Sequence, residues 1–68
     1  MLRYRLENRY QDSGWEDLET PFANCTEAIA CAGSLAKDSI IYGMTRVVDL
    51  VEGEVVITFA AGGGVVSE

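Results

Sequence analysis

Residues that could carry out catalysis are few in this chain of 68 residues, and their spacing does not bring them together. There is no histidine, so no imidazole is available to activate a serine hydroxyl. The neighbouring acids Glu16 and Asp17, like Glu52 and Glu54, lie in segments rich in turn residues. Carboxyl groups in such solvated segments are not expected to have the shifted pKa values that acid–base catalysis needs. The sequence therefore predicts that the protein is not an enzyme.

Cys25 and Cys31 are the other reactive side chains, and both fall within one predicted helix. Six helical residues separate them by roughly 9 Å along the axis, beyond the Cα separation of about 7 Å that a disulfide can close. Their spacing also differs from that of zinc sites. The three consecutive glycines at 62–64 do not form a phosphate-binding loop, because no Lys-Ser/Thr pair follows them. We expect no metal, cofactor or small-molecule ligand, and two reduced thiols packed as small apolar groups.

Charge is distributed unevenly along this chain of net charge −6. Three arginines against one glutamate leave the first ten residues at +2. Residues 11–36 hold five acids and no base, and residues 47–68 hold four acids and no base. Such a field repels nucleic acid and anionic membranes and attracts basic surfaces, although solubility alone would also account for it. The N-terminus has no signal-peptide pattern and no apolar run could span a bilayer, so we expect a cytoplasmic protein.

The elements that position these residues begin with a strand and a helix. Residues 2–10 alternate between apolar and charged side chains, which predicts a half-buried strand. A second short strand over 15–19 returns after the turn residues at 12–14 and ends at Thr20-Pro21. Asn24 and Glu27 resemble a capping box, and the apolar spacing that follows predicts a helix over 25–37. We expect Trp15 to act as a lid on the core.

The C-terminal half predicts a hairpin over residues 45–60. A three-residue loop with a left-handed Gly53 would pair Leu50 with Glu54, and further along Val47 with Ile57 and Thr45 with Phe59. A two-residue loop would align Arg46 with Phe59 and give a poorer core. The fold class predicted is α+β, in the order β-(β)-α-β-β, with one helix on one face of an antiparallel sheet of three or four strands. Residues 1–61 would form this domain, and 62–68 a flexible glycine-rich tail.

The favoured register leaves an apolar stripe on the side of the hairpin that faces away from the helix. One helix covers only one face of a sheet, and exposed apolar stripes usually mark interaction sites. Curling of the sheet, or Trp15 and Phe22 folding over it, would be the alternative way to cover the stripe. Its predicted members are Tyr42, Met44, Val48, Leu50 and Val56.

The segments Arg46-Val47-Val48-Asp49 and Gly53-Glu54-Val55-Val56 resemble a strand–turn–strand signature of small phage and mobile gene cassette proteins. The alanine-rich helix with Glu27-Ala28 extends this resemblance to about half of the chain. In size, acidity and strand–helix–hairpin order the chain is also similar to some anti-CRISPR inhibitors. The resemblance implies a protein-binding or nucleic-acid-mimicking role, but it assigns no individual functional residue.

The functional expectation is a small acidic module that inhibits a partner protein by occupying a basic surface on it. The apolar stripe and the acids would make the contact, without direct binding of nucleic acid or membrane. A homodimer formed through the C-terminal hairpin is the alternative. The predicted acidic contact residues are Asp12, Glu16, Asp17, Glu19, Asp49, Glu52 and Glu54.

Overall fold

A computed structural model describes residues 2–10, 14–38 and 43–67 of the chain. The elements are β1 (Tyr4–Arg9), β2 (Glu16–Phe22), α1 (Cys25–Lys37), β3 (Met44–Asp49), β4 (Glu54–Phe59) and β5 (Val65–Ser67). The strands form one antiparallel sheet in the order β2-β1-β3-β4-β5. The α+β class, with a helix packed on an antiparallel sheet, is confirmed. The predicted number of strands, three or four, is wrong, because the described residues form a sheet of five.

The fifth strand arises where the sequence predicted a tail, since the glycine triplet reverses the chain. Gly62 and Gly63 adopt φ values of 101° and 96°, which are open to glycine but strained for other residues. The amide of Gly62 donates to the carbonyl of Ala36 at 2.8 Å, which ties this turn to the end of α1. The amide of Ala60 donates to the carbonyl of Gly64 at 2.6 Å, so the chain returns antiparallel to β4.

Helix α1 has the predicted bounds, and its start follows from its capping residue. The Asn24 side chain accepts a hydrogen bond from the amide of Glu27 at 3.1 Å. Ala28, Ala32 and Ala36 are fully buried on one face of the helix, where their small side chains allow close approach to the sheet. Cys25 and Cys31 carry free thiols and are half-buried.

The core lies between α1 and one face of the sheet, here called the helix-side face. Leu6 of β1 and Val47 of β3 lie opposite each other in the register, and both are fully buried. Phe59 of β4 joins them, and its ring lies beneath Gly33 of the helix. Because side chains alternate along a strand, the residues next to these in β1 and β3 point to the other face, here called the open face.

The predicted hairpin register is confirmed in the half of the hairpin far from the turn, and it is wrong near the turn. Thr45 pairs with Phe59 and Val47 with Ile57, as predicted. A bulge then shifts the register, so that Val48 pairs with Val55 and Asp49, rather than Leu50, pairs with Glu54.

Strand β2 continues past the point where the sequence predicted its end. It runs to Phe22 through Thr20 and Pro21. Proline is tolerated here because β2 is an edge strand, where a missing amide costs no ladder hydrogen bond. No helix in the described part of the chain is long and apolar enough to cross a membrane.

Candidate partner-binding surface

The predicted apolar stripe does not form a continuous surface on the open face. Met44 and Val48 do lie on that face of β3, but both are only partly exposed, and Arg46 lies between them. The prediction for Val56 is wrong, because the bulge in β4 turns it so that it packs against the core cluster. Tyr42 lies outside the described residues.

A charged network instead occupies the centre of the open face. The Glu7 carboxylate accepts hydrogen bonds from Arg5 Nε at 2.9 Å and from Arg46 Nε at 2.8 Å. Both arginines also contact it through Nη2 at 2.7 Å, and the Glu7 side chain is only 7% exposed. The guanidinium of Arg46 stacks over the Trp15 ring at 4.1 Å. These side chains satisfy one another and leave little of the open face for an apolar partner.

Trp15 was expected to act as a lid on the core, with folding over the apolar stripe as the alternative, and its position on the open face agrees with the alternative for this residue. The tryptophan lies against Arg46 on the open face, since Arg46 alternates with the buried Val47. Aromatic and arginine side chains together are also typical of nucleic-acid surfaces. Here Glu7 neutralises part of the charge of the two arginines, and Arg46 covers one ring face.

Exposed apolar side chains gather at the end of the sheet where the hairpin turns. Leu50 is 47% exposed and Val51 54% exposed. The amide of Leu50 donates to the carbonyl of Arg3 at 2.8 Å, which brings the 57%-exposed Leu2 to the same end. We call Leu2, Leu50, Val51, Glu52 and Glu54 the hairpin end. Only Leu50, Glu52 and Glu54 of this set were predicted as contact residues.

Leu2 and Val51 were missed for identifiable reasons. The alternation of β1 places Leu2 in phase with the buried Leu6, which predicts burial. The first strand starts only at Tyr4, so Leu2 lies before the strand and is exposed. Val51 was assigned to the turn, and its position there was itself a signal, because a valine in a solvated turn has no structural partner.

Asp49 holds the turn of the hairpin end in shape. Its Oδ1 accepts hydrogen bonds from the amides of Val51 at 2.9 Å and Glu52 at 3.2 Å. Arg3 donates to the same carboxylate through Nε at 3.0 Å and Nη2 at 2.8 Å. The backbone closes the turn through Gly53, whose amide donates to the Asp49 carbonyl at 2.8 Å and whose φ is 70°.

These contacts shift the acidity of Asp49. The hydrogen bonds from Arg3, and then those from the Glu52 and Val51 amides, lower its pKa from 3.8 to about 2, although burial acts in the opposite direction. The hydrogen bond to Asp49 raises the pKa of Arg3. Asp49 was predicted as an exposed contact residue; it is 7% exposed and instead holds the turn.

The predicted acids do not form one patch. Glu16 and Asp17 lie on β2, and Glu16 is opposite Asn8, which is opposite Thr45. Glu54 lies on β4 opposite Asp49, which is four residues beyond Thr45 along β3. Strand β4 is the third strand across the sheet from β2. Standard strand geometry separates the two groups by about 13 Å along the strands and about 14 Å across them. Asp12 lies outside the described residues.

The acids on β2 also have local partners. Asp17 Oδ1 accepts a hydrogen bond from the Glu19 amide at 2.7 Å, and its Oδ2 lies 3.9 Å from Arg5 Nη1. At the hairpin end, Glu52 keeps 60% of its side chain exposed, with Arg3 at 3.9 Å, and Glu54 is exposed. The hairpin end therefore combines apolar side chains with acids that remain open to solvent.

Within residues 2–10, 14–38 and 43–67, no group of three or more His, Cys, Asp or Glu side chains is arranged to hold an ion. Comparison with known proteins adds no relative, since no protein-family model, no curated protein and no solved structure matches the chain.

Proposed function

We propose that this protein is a non-enzymatic binding module whose hairpin end occupies a basic surface on a partner protein. The observation that carries the proposal is the exposure of Leu50 and Val51 beside Glu52 on a turn fixed by Asp49. A small phage or mobile-element inhibitor, as in the resemblance above, would act in this way by masking a site on its target.

The chemistry of the hairpin end supports an apolar and basic partner surface. Arg3 balances Asp49, so Glu52 and Glu54 leave the hairpin end with a net charge of −2. Leu2, Leu50 and Val51 would supply contact area, and the two acids would select lysine and arginine side chains around it. Charged rims of this kind affect association rate and specificity more than affinity.

The rigidity of the turn supports the same proposal. Binding costs free energy when flexible side chains and loops become ordered, and a turn that is already ordered avoids much of that cost. The four side-chain hydrogen bonds of Asp49 order the turn in the free protein. The affinity would therefore depend on Asp49 even though it does not touch the partner.

The test is quantitative affinity capture from the source cell with two matched variants. Leu50→Ser/Val51→Ser removes the apolar part of the hairpin end, and Val65→Ser/Val66→Ser removes an equally exposed pair on β5. We expect a protein captured by the wild type and the β5 variant to be lost, by about tenfold or more, with the hairpin-end variant. Raising the salt concentration should weaken capture as well.

Capture that is equal for all three proteins, or that does not change with salt, would contradict the proposal. Far-UV circular dichroism and thermal unfolding of each variant would establish that loss of capture is not loss of fold. Because Leu50 and Val51 are already half exposed, their replacement is expected to change stability by no more than about 0.5 kcal/mol.

Self-association through the hairpin is the competing proposal, and the exposed Val55, Val65 and Val66 favour it. Charge opposes it, since residues 47–68 contain no lysine or arginine that could meet Glu52 and Glu54 of a second copy. Light scattering distinguishes the two proposals: a monomer at micromolar concentration excludes an obligate dimer, and a stable dimer would account for the exposed apolar residues without a foreign partner.

A further inference from the structure

The two edges of the sheet differ in how well they are protected against an added strand. On the β2 edge, Leu18, Glu19 and Thr20 together stand opposite a single β1 residue, which makes a bulge with two extra residues. Glu19 adopts a φ of 57°, and the following Pro21 lacks an amide proton. Bulges, charges and proline are the features by which natural sheets block pairing at an edge. The β2 edge is therefore closed to a further strand.

The β4 edge lacks this protection over part of its length. Among residues 43–67, strand β5 is three residues long and pairs with β4 only at Thr58 and Phe59. Within the described chain, residues 54–57 of β4 consequently have no neighbouring strand on the side away from β3. Val55, which is 43% exposed, lies in this gap. Glu54 belongs both to the gap and to the hairpin end. A strand of about four residues, roughly 13 Å long, would fill the gap.

We infer that residues 54–57 of β4 accept an extended, lysine- or arginine-rich segment of the partner as an added strand. This inference rests on the proposed function and adds the conformation of the partner segment to it. Main-chain hydrogen bonds to β4 would supply affinity, and alternate side chains of the segment would meet Val55 on one face of the sheet. Val55 itself lies on the open face, because it pairs with Val48.

Charge decides between a foreign segment and a second copy of this chain. Glu54 lies in the gap, Glu52 precedes it in the turn, and β5 beyond the gap contains no lysine or arginine. A second copy would bring residues from the same acidic region, 47–68, which holds four acids and no base. Like charges opposed across a strand pair are destabilising, whereas lysine or arginine at those positions is stabilising.

The test uses a short fluorescein-labelled peptide of alternating lysine and valine, with anisotropy as the measure of binding. Its matched control is the same sequence methylated at every backbone nitrogen, which keeps the charge but removes every amide donor. We expect the control to bind at least about tenfold more weakly, because each lost main-chain hydrogen bond reduces affinity by a few fold or more. Amide exchange at residues 54–57 should slow when the unmodified peptide binds.

Two lysine variants locate the contact. Val55→Lys places a charge in the gap, and Ala30→Lys adds the same charge at an exposed position of α1, outside the hairpin end and the gap. We expect Val55→Lys to weaken binding of the unmodified peptide by about tenfold and Ala30→Lys to weaken it much less, because lysine on an edge strand opposes pairing. Unfolding curves of both variants would establish that each one is folded.

Three results would overturn the inference: equal binding of the methylated peptide, equal weakening by the two lysine variants, or dimerisation of the protein in place of peptide binding. These results are separate from the test of the proposed function. Loss of the captured partner with Leu50→Ser/Val51→Ser, together with no peptide binding at β4, would leave the hairpin end as the binding surface and remove the added strand.

Discussion

Replacing Glu7 by glutamine tests whether the open face of the sheet is occupied by its own charges. The Glu7 carboxylate has Arg5 on one oxygen and Arg46 on the other, at N–O distances between 2.7 and 2.9 Å. Glutamine retains one acceptor oxygen, but its amide group would direct N–H donors at one of the two guanidiniums. The substitution therefore leaves at least one arginine without its acceptor.

The expected cost follows from the exposure of the three side chains. Removing one partner of a fully buried ion pair costs about 3–5 kcal/mol, because the remaining charge is left without compensation. Here the Arg5 and Arg46 side chains are 39% and 25% exposed, so water can solvate part of the released charge. We therefore expect Glu7→Gln to lower the free energy of unfolding by about 2 kcal/mol.

Urea unfolding measures this effect directly. With an m-value of about 1 kcal/mol/M for a domain this small, the midpoint should fall by about 2 M. Trp15 is the single tryptophan, and its fluorescence emission should change in the folded variant because Arg46, which stacks on its ring, loses the Glu7 carboxylate. Glu54→Gln removes an equal charge at an exposed site and is expected to change stability by no more than about 0.5 kcal/mol. A Glu7→Gln effect as small as that of this control would refute the reasoning.

Four further substitutions have outcomes fixed by local geometry. Thr45→Val should stabilise the protein by about 1 kcal/mol in urea unfolding, because the buried Thr45 hydroxyl has no hydrogen-bond partner in the described structure. Gly33→Ala should also stabilise it, by up to about 1 kcal/mol, since the added methyl would meet the Phe59 ring at 3.4 Å, an ordinary contact. Gly53→Ala should lower stability by about 1 kcal/mol, because its φ of 70° is strained for alanine. Asp49 has a folded-state pKa of about 2, below its usual 3.8, so the stability it contributes is complete above pH 3.8 and is lost as the pH falls toward 2. Asp49→Asn should remove that part of the acid dependence in unfolding curves measured across this range.

Local sequence signals predicted the helix and the centre of the hairpin. The bounds of α1 followed from the Asn24 cap and the apolar spacing, because both act within a few residues of chain. The pairing of Val47 with Ile57 followed from a left-handed Gly53 and the alternation of apolar residues. These features depend on neighbours close in sequence, which makes them accessible without a structure.

The features that determine the candidate surface depend on contacts between distant residues. The bulge that turns Val56 inward leaves no trace in a period-two pattern, because any strand can accommodate an extra residue. Asp49 becomes a structural residue only because Arg3 lies beside it in the folded sheet. Similarly, the open face is occupied because Glu7 meets Arg46 of a different strand. Charge and apolar content alone therefore predicted a partner-binding surface, but they could not show which residues are exposed together at the hairpin end.

We propose that the hairpin end is the binding surface, and isothermal titration of the captured partner tests this claim most directly. The partner would be titrated with the wild type, with Leu50→Ser/Val51→Ser and with Val65→Ser/Val66→Ser, each at low and high salt. We predict a loss of affinity of about tenfold or more for the hairpin-end variant alone, and weaker binding of the wild type at high salt. Equal affinity for the hairpin-end variant and the wild type would contradict the account.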